Sequence, residues 1–359
     1  MPAGSPAAWA SRCCRRKRPG AIRCRRSVCG KKSMREDVLN FTDADVAGCL
    51  EWGELVDALD DAFKRGAESP PRPHFDIEVP GEPNGNLLLM PAWVAGRHIG
   101  LKTVTVFPGN AARNEPSVNA QYLLFSAATG AIVAVFEGGV LTVRRTAAAS
   151  ALASRYLSRA DARRLLIVGT GRLSSNLASA HASVRTFEEI VIWGRDAEKA
   201  RKIAGKLADE GLPARPAGEL RAEVEAADII SCCTLARAPI IKGEWLKPGA
   251  HLDLVGAFTP QMREADEAAL MRSRVFVDTF EGALSESGEL VHALNSGALA
   301  RGDIQASLFE LTRGEHSGRE GLSDITLFKS VGCSLEDLAA AELCVARSAS
   351  RSRDATAAV

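Results

Sequence analysis

The chain has 359 residues, 46% of them hydrophobic and 25% charged, with a formal net charge of +1. That length suits two hydrophobic cores, and no apolar run reaches the roughly 18–20 residues a membrane helix needs, so no membrane partner is expected. Residues 1–33 hold ten Lys or Arg and no acid, which leaves 35 basic against 44 acidic residues elsewhere, a net of −9 that argues against nucleic acid as a partner.

Residues 1–33 read as a basic, disordered leader without the apolar core of a secretory signal, and Met34 is the expected true start. Cys13, Cys14, Cys24 and Cys29 lack the paired spacing of zinc sites, so no metal is expected. Cys49, Cys232, Cys233, Cys333 and Cys344 are scattered, three of them in or beside buried runs, which points to a reducing, cytoplasmic setting.

Thr42-Asp43-Ala44-Asp45 offers a helix cap and an acidic first turn, followed by Val46, Leu50, Leu55, Val56, Leu59 and Phe63 at near-helical spacing. The proline-rich stretch 69–73 breaks the chain. Residues 74–145 alternate short apolar runs (86–90, 99–107, 121–126, 131–136) with Gly, Pro and Asn, the signature of a mostly β region. A small-residue helix is expected over 146–156.

The middle of the chain alternates strand and helix. Strands are expected at 165–168, 190–193, 228–233, 251–255 and 275–278. Helices are expected at 173–184, 197–207, and near 218–227 and 262–272. That alternation implies βαβ units and a parallel sheet.

Val168-Gly169-Thr170-Gly171-Arg172-Leu173-Ser174 follows the first of these strands and opens a helix. Gly169 suits the tight turn, Gly171 lets backbone approach a pyrophosphate, and Ser174 stands in for the third glycine. Gly194 falls where an NAD-preferring domain carries an acid for the ribose 2′-hydroxyl. Arg195 beside it is a partner for a 2′-phosphate, so NADP(H) is the expected cofactor, while Asp196 leaves room for NAD(H).

With these residues the sequence resembles the ornithine cyclodeaminase/mu-crystallin family over about 38–348. The segments that carry the resemblance are 89–92, 100–104, 141–148, the Gly169–Gly171 loop and Phe328-Lys329-Ser330-Val331-Gly332. The resemblance implies an α/β fold: a Rossmann domain (151–324) plus a β-rich substrate-binding and dimerisation domain (34–150, completed by 325–350), assembled as a homodimer. It assigns the catalytic, carboxylate-holding roles to Arg72, Lys102 and Arg145. A planar guanidinium suits a carboxylate, and burial of Lys102 would lower its pKa. It also places Ser117, Thr146, Gly169, Gly171, Arg172, Leu173, Thr234, the Val255–Phe258 backbone and Lys329 near the cofactor. His74, His98, His181 and His251 lack metal-ligand spacing and read as structural.

Members of this family that cyclise ornithine carry an Asp where Val255-Gly256-Ala257-Phe258 has Phe258, and a phenyl ring cannot exchange a proton. Reduction of a preformed cyclic ketimine demands less, because the nitrogen arrives protonated and positioning carries the rate. The expected activity is therefore NAD(P)H-dependent reduction of Δ1-pyrroline-2-carboxylate or Δ1-piperideine-2-carboxylate to L-proline or L-pipecolate. The alternatives, in order, are an ornithine cyclodeaminase, an alanine or N-alkyl amino acid dehydrogenase, and a non-catalytic NADPH-binding protein like mu-crystallin.

Overall fold

The computed structural model describes residues 38–357; the expected basic leader lies outside the described residues. A first set of elements comprises β1 (Leu39–Phe41), α1 (Asp43–Cys49), α2 (Trp52–Arg65), β2 (His74–Ile77), β3 (Gly85–Trp93), β4 (His98–Val106), β5 (Val118–Ser126), β6 (Ile132–Glu137) and α3 (Gly138–Leu157). The six strands form one sheet in the order β1-β6-β5-β4-β3-β2, antiparallel except for β1 against β6.

Thr42 and Asp45 close a capping box at α1, each side chain engaging the other's backbone N–H. One continuous helical pattern becomes two helices, and the break falls in the five-residue interval between Leu50 and Leu55, which interrupts the i, i+3/i+4 spacing. The helix α3 starts eight residues before the expected 146. Gly138 makes that early start possible, because its Cα lies against Ala120, where a Cβ would stand 2.6 Å from the Ala120 Cβ. The Ala-rich middle of α3 is buried and packs between α2 and α4, where small side chains allow close approach.

The remaining elements are β7 (Arg164–Val168), α4 (Leu173–Ala182), β8 (Glu189–Trp193), α5 (Ala197–Asp209), β9 (Ala214–Pro216), α6 (Leu220–Ala226), β10 (Ile229–Cys232), β11 (His251–Leu254), α7 (Glu267–Met271), β12 (Arg274–Val277), α8 (Phe280–Glu286), α9 (Gly288–Ser296), β13 (Ile304–Ser307), α10 (Leu308–Arg313), β14 (Thr326–Lys329) and α11 (Ser334–Ala357). The eight strands pair in parallel, in the order β13-β12-β14-β11-β10-β7-β8-β9. Chain order reverses on either side of β7, the switch point at which doubly wound sheets bind ligands beyond their strand ends. Among the described residues no helix is long and apolar enough to cross a membrane.

The return of the chain to the six-stranded sheet begins later than residue 325. The strand β14 lies inside the eight-stranded sheet, and its four residues are buried as a central parallel strand requires. The helix α11 then packs on α2, α3, β3 and β4. It covers the sheet face on which Met90, Lys102, Tyr122 and Phe136 stand in one cross-strand row.

Candidate active site

The loop after β7 has the geometry a dinucleotide site needs. Gly169 has φ +136°, and a Cβ there would stand 2.7 Å from the Cys233 Sγ, so glycine is required on two counts. A Cβ at Gly171 would meet nothing within 4 Å, so this part of the loop faces open space. Ser174, in the place of a third glycine, is buried and donates its hydroxyl to the Gly169 carbonyl at 2.7 Å. Leu173 opens α4, whose first N–H groups face beyond the strand end. Arg172 is exposed and reaches toward Gly139 at the start of α3. These residues fit a nicotinamide dinucleotide.

At the end of β8, Gly194 lies against Thr170 of the glycine loop, whose side chain a Cβ would displace. Glycine leaves this position without the acid of an NAD-type site. Asp196 caps α5 by accepting from the Glu198 and Lys199 N–H groups at 3.1 and 3.2 Å. Arg195 is exposed and has no ion pair among the described residues.

A buried set of charges holds the ends of β10 and β11 together. Glu264 accepts from the Thr234 N–H (2.6 Å) and hydroxyl (2.9 Å), and from the Gly256 and Ala257 N–H groups (2.8 and 3.1 Å). Burial raises its pKa, against the opposing pull of Lys329. Lys329 is fully enclosed, donates to the Ala257 carbonyl at 2.6 Å and lies 3.3 Å from Glu289. Expected among the cofactor-binding residues, Lys329 instead supports the Val255–Phe258 loop from beneath. On the loop itself Val255 is buried while the Phe258 ring is half exposed. Thr146 donates to the Thr142 carbonyl within α3. Ser117 lies in the segment before β5, its carbonyl accepting from the Phe107 N–H, and among the described residues no hydrogen bond joins it to the glycine loop.

Lys102 and Arg145 meet at the start of α11, while Arg72 lines the cavity beside it and is held by Glu286, so each of the three expected cations is already paired. Lys102 Nζ lies 3.2 and 3.3 Å from the two Asp337 oxygens. Arg145 donates from Nε to Asp337 at 3.1 Å and from Nη1 to Glu336 at 2.6 Å. Burial pushes the Lys102 pKa down to about 8, against the attraction of Asp337. Burial also disfavours the Arg145 charge, but Asp337 and Glu336 more than offset it and raise that pKa. Asp278 accepts from the Ser330 hydroxyl and the Val331 and Gly332 N–H groups, which fixes the backbone of Gly332 against Arg145.

Arg72 donates to Glu286 at the end of α8, from Nε at 2.8 Å and from Nη2 as well, while Nη1 lies 4.0 Å from the Met90 Sδ. Met90 is the strand partner of Lys102. Arg72, Met90, Glu286, Gly332 and Cys333 line one cavity of about 750 Å³. Among the described residues no three His, Cys, Asp or Glu side chains group as a metal site.

Glu264, Asp278, Glu286, Glu289, Glu336 and Asp337 were not singled out from the sequence. The Glu336-Asp337 pair in the first turn of α11 gave a faint signal, since acids there are ordinary helix-dipole partners.

The model of the ornithine cyclodeaminase/mu-crystallin family matches residues 36–352. The chain belongs to this family. It is 39% identical to Protein SAR DEFICIENT 4 of Arabidopsis thaliana over 283 residues, covering 77% of this chain and 86% of that one. It is 37% identical to the Delta(1)-pyrroline-2-carboxylate reductase of Paracoccus denitrificans over 311 residues, covering 86% and 96%. The Delta(1)-pyrroline-2-carboxylate reductase of Thermococcus litoralis, solved in complex with NADH and L-proline, superposes with a TM-score of 0.81 at 32% identity, covering 88% of this chain and 98% of that one.

Proposed function

We propose that this protein is an NADPH-dependent reductase of small cyclic ketimino acids, converting Δ1-pyrroline-2-carboxylate or Δ1-piperideine-2-carboxylate to L-proline or L-pipecolate. The observation that carries this reading is the convergence of Lys102 and Arg145 on one buried carboxylate, next to a cavity that Arg72 lines. Arg72 and Arg145 hold the substrate carboxylate, and Lys102 adds charge to the same group. With a pKa near 8, Lys102 is mostly ammonium at neutral pH and can return a proton to the site.

The bound nicotinamide supplies the hydride that reduces the carbon–nitrogen double bond. Gly169, Gly171, Leu173 and the α4 N-terminus hold its pyrophosphate, and Arg195 takes the 2′-phosphate of NADPH. Thr234 and the Val255–Phe258 backbone, braced by Glu264 and Lys329, would hold the nicotinamide end of the cofactor. Phe258 is apolar and exchanges no proton, which suits reduction of a preformed imine better than the deamination and ring closure of ornithine.

The outer face of the six-stranded sheet carries Leu87, Leu89, Leu101, Leu123 and Val135, all part-exposed. A second copy of the chain covers this apolar face in a homodimer. All five described cysteines are unpaired, in keeping with a reducing cytoplasm.

The test follows NADPH absorbance with Δ1-pyrroline-2-carboxylate, with L-ornithine plus NAD in parallel. Rapid NADPH consumption and no proline from ornithine is the expected result. Proline and ammonia from ornithine would overturn the reading, and faster turnover with NADH would overturn the NADPH assignment.

A further inference from the structure

We infer that Glu286 is a positioning residue for Arg72, holding its guanidinium so that the unused edge faces the substrate carboxylate. This rests on the reductase reading. A guanidinium offers two forked edges, Nε with Nη2 and Nη1 with Nη2. Glu286 occupies the first edge through both of its oxygens. The second edge is directed along Nη1 to Met90, whose thioether is a weak acceptor and leaves those donors available. Met90 stands across the strand pair from Lys102, so the open edge of Arg72 faces the row that holds the buried cation.

The Arg72 side chain is largely buried along the cavity wall, and its polar restraint comes from Glu286. Pro71 and Pro73 stiffen the backbone on either side, but the long Arg side chain keeps its own rotamer freedom unless a partner fixes it. Among the described residues Glu286 is its one ion-pair partner. The pair joins residues 214 apart in sequence, bringing a side chain from the cofactor-binding sheet's helices to the substrate clamp.

A second contact from the same stretch supports this role. Asp278 sets the Gly332 backbone that abuts Arg145, and Glu286 sets Arg72. The segment 278–286 therefore positions both arginines, and the cofactor-binding half of the chain fixes the geometry in which a carboxylate is received.

The experiment compares the full-length protein with Glu286→Gln, Glu286→Asp, Arg72→Ala and the Arg72→Ala/Glu286→Gln double variant. Reduction of Δ1-pyrroline-2-carboxylate is followed at saturating NADPH. E286Q is expected to raise KM about tenfold, equivalent to ~1.4 kcal/mol, with kcat within about twofold and NADPH affinity unchanged. Glu286→Asp is expected to recover part of that loss. In the Arg72→Ala background the Gln substitution should add no further rise, because the residue acts through Arg72. An unchanged or lowered KM in E286Q, or additive effects in the double variant, would overturn the inference and leave the reductase assignment standing. No turnover by the unaltered protein would overturn the assignment and the inference together.

Discussion

Gly332 and Arg145 share one space: a Cβ on Gly332, which has φ +80°, would collide with the Nη1 of Arg145. The backbone of this loop is thus part of the wall that holds the guanidinium. Gly332→Ala should cost about 1–3 kcal/mol of stability through left-handed strain and displacement of Arg145. It should also lower kcat/KM for the ketimine by at least about tenfold, equivalent to ~1.4 kcal/mol. Denaturant unfolding and steady-state kinetics read the two effects separately. Unaltered kinetics would mean that Arg145 does not hold the substrate.

Asp337 compensates two buried cations with one carboxylate. Asp337→Asn leaves Lys102 and Arg145 short of an anion in a closed environment, and such a loss costs about 3–5 kcal/mol. Urea titration of the variant is the check, and a loss below about 1 kcal/mol, the scale of an exposed ion pair, would show that water reaches the pair.

The depressed Lys102 pKa has opposite consequences for catalysis and for stability. The ammonium form is lost as pH rises through about 8, so kcat/KM should fall above that pH. Lys102→Arg should move this limb to higher pH. For stability the sign reverses: between about 8 and the usual 10.5 the unfolded chain binds the proton more tightly, so the contribution of Lys102 to stability rises with pH. A pH–rate profile without a basic limb near 8 would remove Lys102 from the proton-handling role.

Lys329 braces the Val255–Phe258 loop through the Ala257 carbonyl and faces Glu289. Lys329→Met removes the cation that pairs with Glu289 and that opposes the burial-raised pKa of Glu264. Weakened NADPH binding, by about tenfold or more (~1.4 kcal/mol), is expected in a fluorescence titration. Unchanged affinity would show that the loop holds its form without the charge.

Arg195 distinguishes the two nicotinamide cofactors. Arg195→Ala should raise the KM for NADPH about tenfold or more and leave that for NADH nearly unchanged, as expected for loss of one charge-assisted contact of ~1.5–3 kcal/mol. An equal effect on both would mean that Arg195 does not touch the 2′-phosphate.

The glycine turn and the central parallel strands were legible in the sequence, whereas helix limits and long-range pairings were not. The Gly169–Gly171 turn sits between an apolar strand and a helix, so its role follows from neighbours in sequence. The strands β7, β8, β10, β11 and β12 were expected within a residue or two of where they lie. The small helices α8, α9 and α10 span only six to nine residues, too few turns to stand out in sequence, and β14 reads as a motif until its partners β11 and β12 are known. The acids that organise the site were hidden for a related reason. Glu286 meets Arg72 across 214 residues and Asp337 meets Lys102 across 235, and a lone acid in a helix looks like a solvated one until its partner is placed. Lys329 shows the reverse: its motif was recognisable, but its direction, inward under the loop, was not.

The position of β14 and α11 bears on the order in which the molecule can assemble during synthesis. The eight-stranded sheet has a gap between β11 and β12 until residues 326–329 have been made, and the six-stranded sheet lacks its helical cover until α11 follows. Both halves therefore wait on β14 and α11 to leave the ribosome, with apolar strand faces and an unpaired edge exposed until then. A ribosome stalled before residue 326 would carry two unfinished halves rather than one folded domain and one pending.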